Sequence, residues 1–153
     1  MKKLTKVLAA TAVGMAALGS AQAQTATTTF QVTANVLDAC TVAATNLAFG
    51  DYSASLGAPV DSTSTITVTC SNGLAYDVSV GASANARTMA RTLGGGSLNY
   101  GMFNEAGRTT AFVVPTATGS GIGQSYTVFG RIPGGQFVPT GNYADTVNVT
   151  VTY

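Results

Sequence analysis

The chain has 153 residues, of which 46% are hydrophobic and only 8% charged, with two cysteines and neither histidine nor tryptophan. A formal charge of +1 is too small a basic footprint for nucleic acid. The lack of histidine removes the commonest general base and a principal zinc ligand.

Residues 1–23 read as a secretory signal peptide rather than as part of the fold. Lys2, Lys3 and Lys6 form the basic start, residues 7–18 are apolar or small, and Ala21-Gln22-Ala23 is an A-x-A cleavage signal. About twelve apolar residues fall short of the roughly 20 that span a bilayer, and no later stretch could span as a helix. The mature chain is then about 130 residues, enough for one domain with a real core. All lysines leave with the leader, so four arginines face six acids, a net −2. With no lysine, one glutamate and much Thr, Val and Gly, the mature chain lacks the residues that fill helix surfaces, and almost no helix is expected.

Residues 30–36 alternate as a half-buried strand: Phe30, Val32, Ala34 and Val36 on one side, Gln31, Thr33 and Asn35 on the other. No Asn-Gly or Gly-rich turn follows before Cys40, so nothing folds this strand back as a hairpin. It is expected to insert into a neighbouring copy, although an alternating strand at each end also suits a sandwich that closes on itself. Cys40 and Cys70 lie in an exported chain, where a disulfide tying the first strand to the second is expected. A redox or metal pair is disfavoured by the absence of C-x-x-C and of histidine.

Strands then follow in quick succession. Thr41-Val42 continues the first, and Leu47-Ala48-Phe49 is a short apolar run before a loop through Gly57 and Pro59. Ile66, Val68 and Cys70 alternate with threonines, and Asn72-Gly73 predicts a tight hairpin to a return strand with Tyr76, Val78 and Val80 inward. Residues 81–96 read as a loop or irregular edge; Gly94-Gly95-Gly96 is followed by no P-loop Lys-Ser/Thr, so a phosphate site is not expected. Residues 98–103 and 111–114 are strand-like, 119–123 a flexible connection, and 125–131 a long strand with Gly130 where a third large residue would stand. Pro133-Gly134-Gly135 breaks it. The final run, 145–153, alternates Val147, Val149, Val151 and Tyr153 with polar residues. Short strands at this spacing without helices predict an all-β sandwich, with an edge that needs covering.

Five fragments in order resemble the spore coat protein U domain, the subunit type of archaic chaperone-usher pili: the alternation ending before Cys40-Thr41-Val42; Leu47-Ala48-Phe49-Gly50; Ile66-Thr67-Val68-Thr69-Cys70; Val128-Phe129-Gly130-Arg131-Ile132-Pro133; and Gly141-Asn142-Tyr143-Ala144-Asp145-Thr146-Val147 running to Tyr153. The Gly-rich region 81–123 matches least. The resemblance implies an incomplete immunoglobulin-like β-sandwich over 38–153, preceded by a donor-strand extension at 24–37. A periplasmic pilus chaperone would complete the fold first and the next subunit permanently, with an outer-membrane usher handling assembly into a surface fibre that supports adhesion or biofilm formation. Such strand addition is a known mode for pilins. Phe30, Val32, Ala34 and Val36 would be the donor side chains, the three large ones contributing roughly 5 to 9 kcal/mol on burial. Val147, Val149, Val151 and Tyr153 would form the acceptor-groove strand that pairs with chaperone and donor. A single domain with its own donor segment fits a polymerising subunit.

Two other classes compete. An outer-membrane β-barrel would explain the aromatic-terminated last strand, but the disulfide, the lack of Trp and strands mostly under 9 to 11 residues argue against it. A monomeric sugar-binding sandwich would use Tyr52, Tyr76, Tyr100 or Tyr143 as stacking platforms, which core packing explains more simply. No enzyme is expected, since no histidine, mature lysine or unpaired thiol is available. Asp51, Asp61 and Asp77 fall at turns and strand starts rather than as a glycosidase pair, and Asp145 reads as a turn or edge residue that fixes register. The sequon Asn148-Val149-Thr150 falls mid-strand. No cofactor and no metal site are expected.

Overall fold

The computed structural model describes residues 23–81 and 84–153; apart from Ala23, the signal peptide expected at 1–23 lies outside the described residues. The chain divides into a leading unit, Met1–Asn35, and a β-domain, Val36–Tyr153. Residues 23–39 are exposed and assigned to no strand, so residues 30–36 form no ladder within the chain. A strand is defined by its ladder, and an extended segment has none of its own.

The domain is built on β2 (Val60–Cys70) and β7 (Gln124–Ile132), paired antiparallel from Val60↔Ile132 to Val68↔Gln124. Their sequences dictate the two faces. Ile66, Val68, Cys70, Val128 and Ile132 are buried on the inner side, while Thr63, Thr65, Thr67 and Thr69 take the alternate positions, as β-branched residues on a half-buried pleat do. β1 (Cys40–Ala44) pairs with the far edge of β2, and β5 (Ser97–Phe103) continues from β7. β4 (Arg87–Arg91) and β8 (Tyr143–Ala144) complete a six-stranded sheet in the order β1-β2-β7-β5-β4-β8. The second sheet is small, with β3 (Ala75–Ser79) between β6 (Ala117–Thr118) and β9 (Thr150–Thr152). One core unites them, with Leu98, Tyr100 and Met102 from the large sheet and Tyr76 and Val78 from the small one. Apart from one 3-10 turn, Ala54–Leu56, no helix occurs among the described residues. The result is the expected all-β, immunoglobulin-like sandwich.

Cys40 and Cys70 are register partners at the end of the β1–β2 ladder and form a disulfide, S–S 2.04 Å, Cα–Cα 4.1 Å. The expected link between first and second strands is therefore present.

Four local expectations are corrected. Asn72-Gly73 does turn, with Gly73 at φ 85° and Leu74 N–H donating to Ser71 O at 3.1 Å, but β2 and β3 enter opposite sheets and form no hairpin. Both edges of β2 are taken by β1 and β7, so the next apolar strand buries Tyr76, Val78 and Val80 across the core instead. Region 81–96 contains β4, whose half-buried positions are Arg87, Met89 and Arg91; arginines there mask the alternation of an ordinary strand. The triple glycine turns β4 into β5, with Gly94 and Gly95 at positive φ. Residues 111–114 carry one isolated bridge, Phe103↔Ala111, although Phe112 and Val114 are buried. Finally, of 145–153 only β9 is laddered, because β3 ends at Ser79 and Gly81 takes φ 86°.

Candidate functional site

That last shortfall creates the site. Residues 145–149 have no ladder partner among the described residues, yet Val147 and Val149 keep their inward, half-buried orientation and alternate with exposed Thr146 and Asn148. Facing them is a second unladdered segment. Beyond β1 the chain stays tied to β2 by backbone, Thr45 N–H to Thr65 O at 3.0 Å. It is then held by side chains: Ser64 Oγ donates to Thr45 O and Ser62 Oγ to Ala48 O, both at 2.6 Å. Leu47 and Phe49 are thereby laid over Gly130, where a Cβ would meet Leu47 Cδ1, Leu47 Cδ2 and Phe49 Cζ at 2.8 Å. This is why the β7 position without a large side chain is a glycine.

Between the two segments lies a cavity of about 370 Å³ lined mostly by apolar side chains but also by Thr45, Asn46, Ser64 and Asp145, with Ile66, Met102 and Val128 among its floor and Val147 and Val149 in one wall. This trough adjoins a wider cavity of about 980 Å³ between residues 47–54 and 136–143, with Leu47, Phe49, Met89 and Tyr143 in the walls of both. On β1, Val42 pairs with Val68, which is fully buried, but is itself 40% exposed.

One polar cluster stands in the trough wall. The Asp145 carboxylate accepts from Arg87 Nε at 3.0 Å, Arg87 Nη2 at 2.9 Å and the Tyr100 hydroxyl at 2.7 Å. Burial works against the charged carboxylate, but these bonds more than offset it and hold Asp145 below the usual carboxylate range. Burial and the bond to Asp145 push the Tyr100 phenol up to about 12. The Tyr100 ring meets Phe49 edge to face, centroids 6.0 Å apart. Beyond the turn or edge role expected of it, Asp145 holds an ion pair that the local sequence does not reveal, since Arg87 is 58 positions away.

Of the other residues singled out from sequence, Val151 packs on the core within β9 and Tyr153 is exposed. Phe30, Val32 and Val36 are 83–86% exposed, and Ala34 is exposed as well. The structure brings none of these four into a ladder. Tyr76 and Tyr100 are buried in the core and unavailable as sugar platforms. Tyr52 and Tyr143 line the wider cavity with their hydroxyls engaged, Tyr52 donating to Pro133 O and Tyr143 to Pro139 O. The two-sheet sandwich is not a closed barrel. No helix among the described residues is long and apolar enough to cross a membrane, and no group of three candidate metal ligands occurs among them.

The fold and the trough define an immunoglobulin-like sandwich with an apolar cleft between two unladdered segments. Residues 26–150 match the model of the Spore Coat Protein U domain, and the chain belongs to that family. It is also similar to "Protein U" of Myxococcus xanthus, at 30% identity with 97% of each chain covered.

Proposed function

We propose that this protein is an exported structural subunit that polymerises by donor-strand complementation into a pilus or coat fibre at the cell surface. The observation that carries this reading is the apolar trough flanked by 45–49 and 145–149, in a chain that brings its own apolar alternation at 30–36. Residues 30–36, about 20 Å when extended, are long enough to run the full length of 145–149. Phe30, Val32, Ala34 and Val36 of one copy enter the trough of the next, and the donor backbone pairs with Val147 and Val149, the strand then running on through Val151 to Tyr153. A periplasmic chaperone occupies the same trough before assembly and an outer-membrane usher conducts the exchange, while residues 1–23 direct export. Adhesion or biofilm support is the role of the finished fibre, a structural rather than an enzymatic one.

The test is an unboiled SDS gel of protein recovered from export-competent cells, beside a form lacking residues 24–35. A heat-sensitive series of multimer bands that disappears on truncation is expected. Monomer bands alone from both forms would overturn the reading.

A further inference from the structure

We propose that Tyr100, with Arg87, is a cross-tie that sets the width of the trough by holding its two walls at once, and that Asp145 is the residue through which it positions the donor-pairing strand. The inference rests on reading the trough as an acceptor site. Both walls lack a ladder across the trough, so something other than backbone pairing must fix their separation. Tyr100 is suited to this. It rises from β5 in the floor, is 5% exposed, and lines the trough together with Phe49 and Asp145. Its ring edge contacts Phe49, in the segment pinned by Ser62 and Ser64, while its hydroxyl donates to Asp145 at the head of the opposite wall. Arg87, on β4 beside Tyr100 in register, closes the triangle by donating to the Tyr100 hydroxyl at 2.9 Å and to Asp145 through two nitrogens.

The chemistry explains why a charged group stands beside an apolar trough. A carboxylate that accepts three hydrogen bonds, two of them from a guanidinium, is held far more firmly than a van der Waals contact could hold it. Residues 145–149 branch directly from that fixed point, so Val147 and Val149 present their side chains at a set height above the floor. A preset wall spares an arriving strand the cost of ordering it, which is how preorganisation raises affinity. The groups facing Asp145 are Arg87, Tyr100 and the Thr146 amide.

Asp145→Asn removes the charge while keeping the size, and Tyr100→Phe removes only the hydroxyl and keeps the ring on Phe49. Both are made in the full exported chain, and two quantities are read: the rate at which the polymer releases monomer at fixed temperature in SDS, and hydrogen exchange in the assembled state. Losing charge-assisted hydrogen bonds of this kind corresponds to roughly tenfold to hundredfold faster release for Asp145→Asn, with a smaller change of the same sign for Tyr100→Phe. Exchange protection should fall in 145–149 and stay unchanged across β2 and β7. Release at the wild-type rate, or protection lost evenly through the sandwich, would overturn the inference, the second outcome marking a merely structural cluster. If Asp145→Asn is not recovered folded, Tyr100→Phe decides by the same criteria. A wild-type chain that forms no polymer would instead defeat the acceptor-site reading itself.

Discussion

Replacing both cysteines by alanine should loosen one wall of the trough before it unfolds the domain. Cys40 and Cys70 are 30 positions apart, and on the chain-entropy account a closed loop of that size contributes about 3 to 4 kcal/mol. For a domain of this length, with an unfolding entropy near 2.1 cal/mol/K per residue, that corresponds to a fall in melting temperature of about 15 °C. The loss should not be spread evenly. β1 is five residues long, occupies the edge of its sheet, and has only Cys40 less than exposed; its hold on β2 is five register pairs and the disulfide. The segment carrying Leu47 and Phe49 begins where β1 ends. Circular dichroism melts of the Cys40→Ala/Cys70→Ala double variant, with hydrogen exchange at 40–49, measure both effects. A melting temperature lowered by less than about 3 °C, with β1 still protected, would refute the reasoning.

Three further outcomes are expected. Val32→Asp places a carboxylate in the trough of the next copy, an uncompensated burial costing several kcal/mol; SDS-resistant multimers should vanish while the circular dichroism of the subunit is unchanged, and a normal fibre would remove Val32 from the donor set. Gly130→Ala drives a methyl group into Leu47 and Phe49 at 2.8 Å, and should cost about 1 to 3 kcal/mol in urea unfolding while displacing that wall; a wild-type midpoint would show the contact relaxes freely. Burial and, at Tyr76, the bond to Tyr126 raise the phenols of Tyr76 and Tyr100 from 10.0 to about 12. The fold favours their neutral forms, so this contribution is whole below pH 10 and is lost as pH rises towards 12. Tyrosinate absorbance at about pH 11 should show at least two of the six tyrosines un-ionised until the domain unfolds; ionisation of all six in folded protein would contradict it.

How much of this was legible in the sequence depended on whether the signal was local. β2, β5 and β7 announce themselves because Ile66, Val68, Leu98, Tyr100 and Val128 alternate with small or polar residues, and burial of one face is all that alternation encodes. Which strand pairs with which is not encoded there. Asn72-Gly73 has the chemistry of a hairpin turn, yet the edges of β2 were filled by β1 and by β7, partners 20 or more positions away. β4 was hidden because Arg87 and Arg91 sit on its half-buried side, where their charges are spent on Asp145, Tyr100, Thr140 O and Gly94 O. Val147 and Val149 were found by their period alone, whereas the opposing wall was not, since 45–49 owes its path to Ser62, Ser64 and the missing side chain of Gly130. The Phe49, Tyr100 and Asp145 constellation was invisible for the same reason: it exists only after three separate elements have packed.

The central claim is that residues 30–36 of one copy lie in the trough of another, and engineered disulfides test it most directly. Cysteines placed singly at Phe30, Val32 or Val36 in one tagged chain, and at Val147 or Val149 in a differently tagged chain, are co-expressed with export intact and analysed without reductant. Pairing requires Cα atoms within about 7 Å, a distance that adjacent strands of one sheet satisfy and unrelated surfaces do not. The account predicts covalent dimers carrying both tags for at least one donor and wall pair, with pairs that point to opposite faces, such as Gln31 with Val149, silent. Absence of mixed-tag dimers from every pair, in protein that still forms multimers, would contradict it.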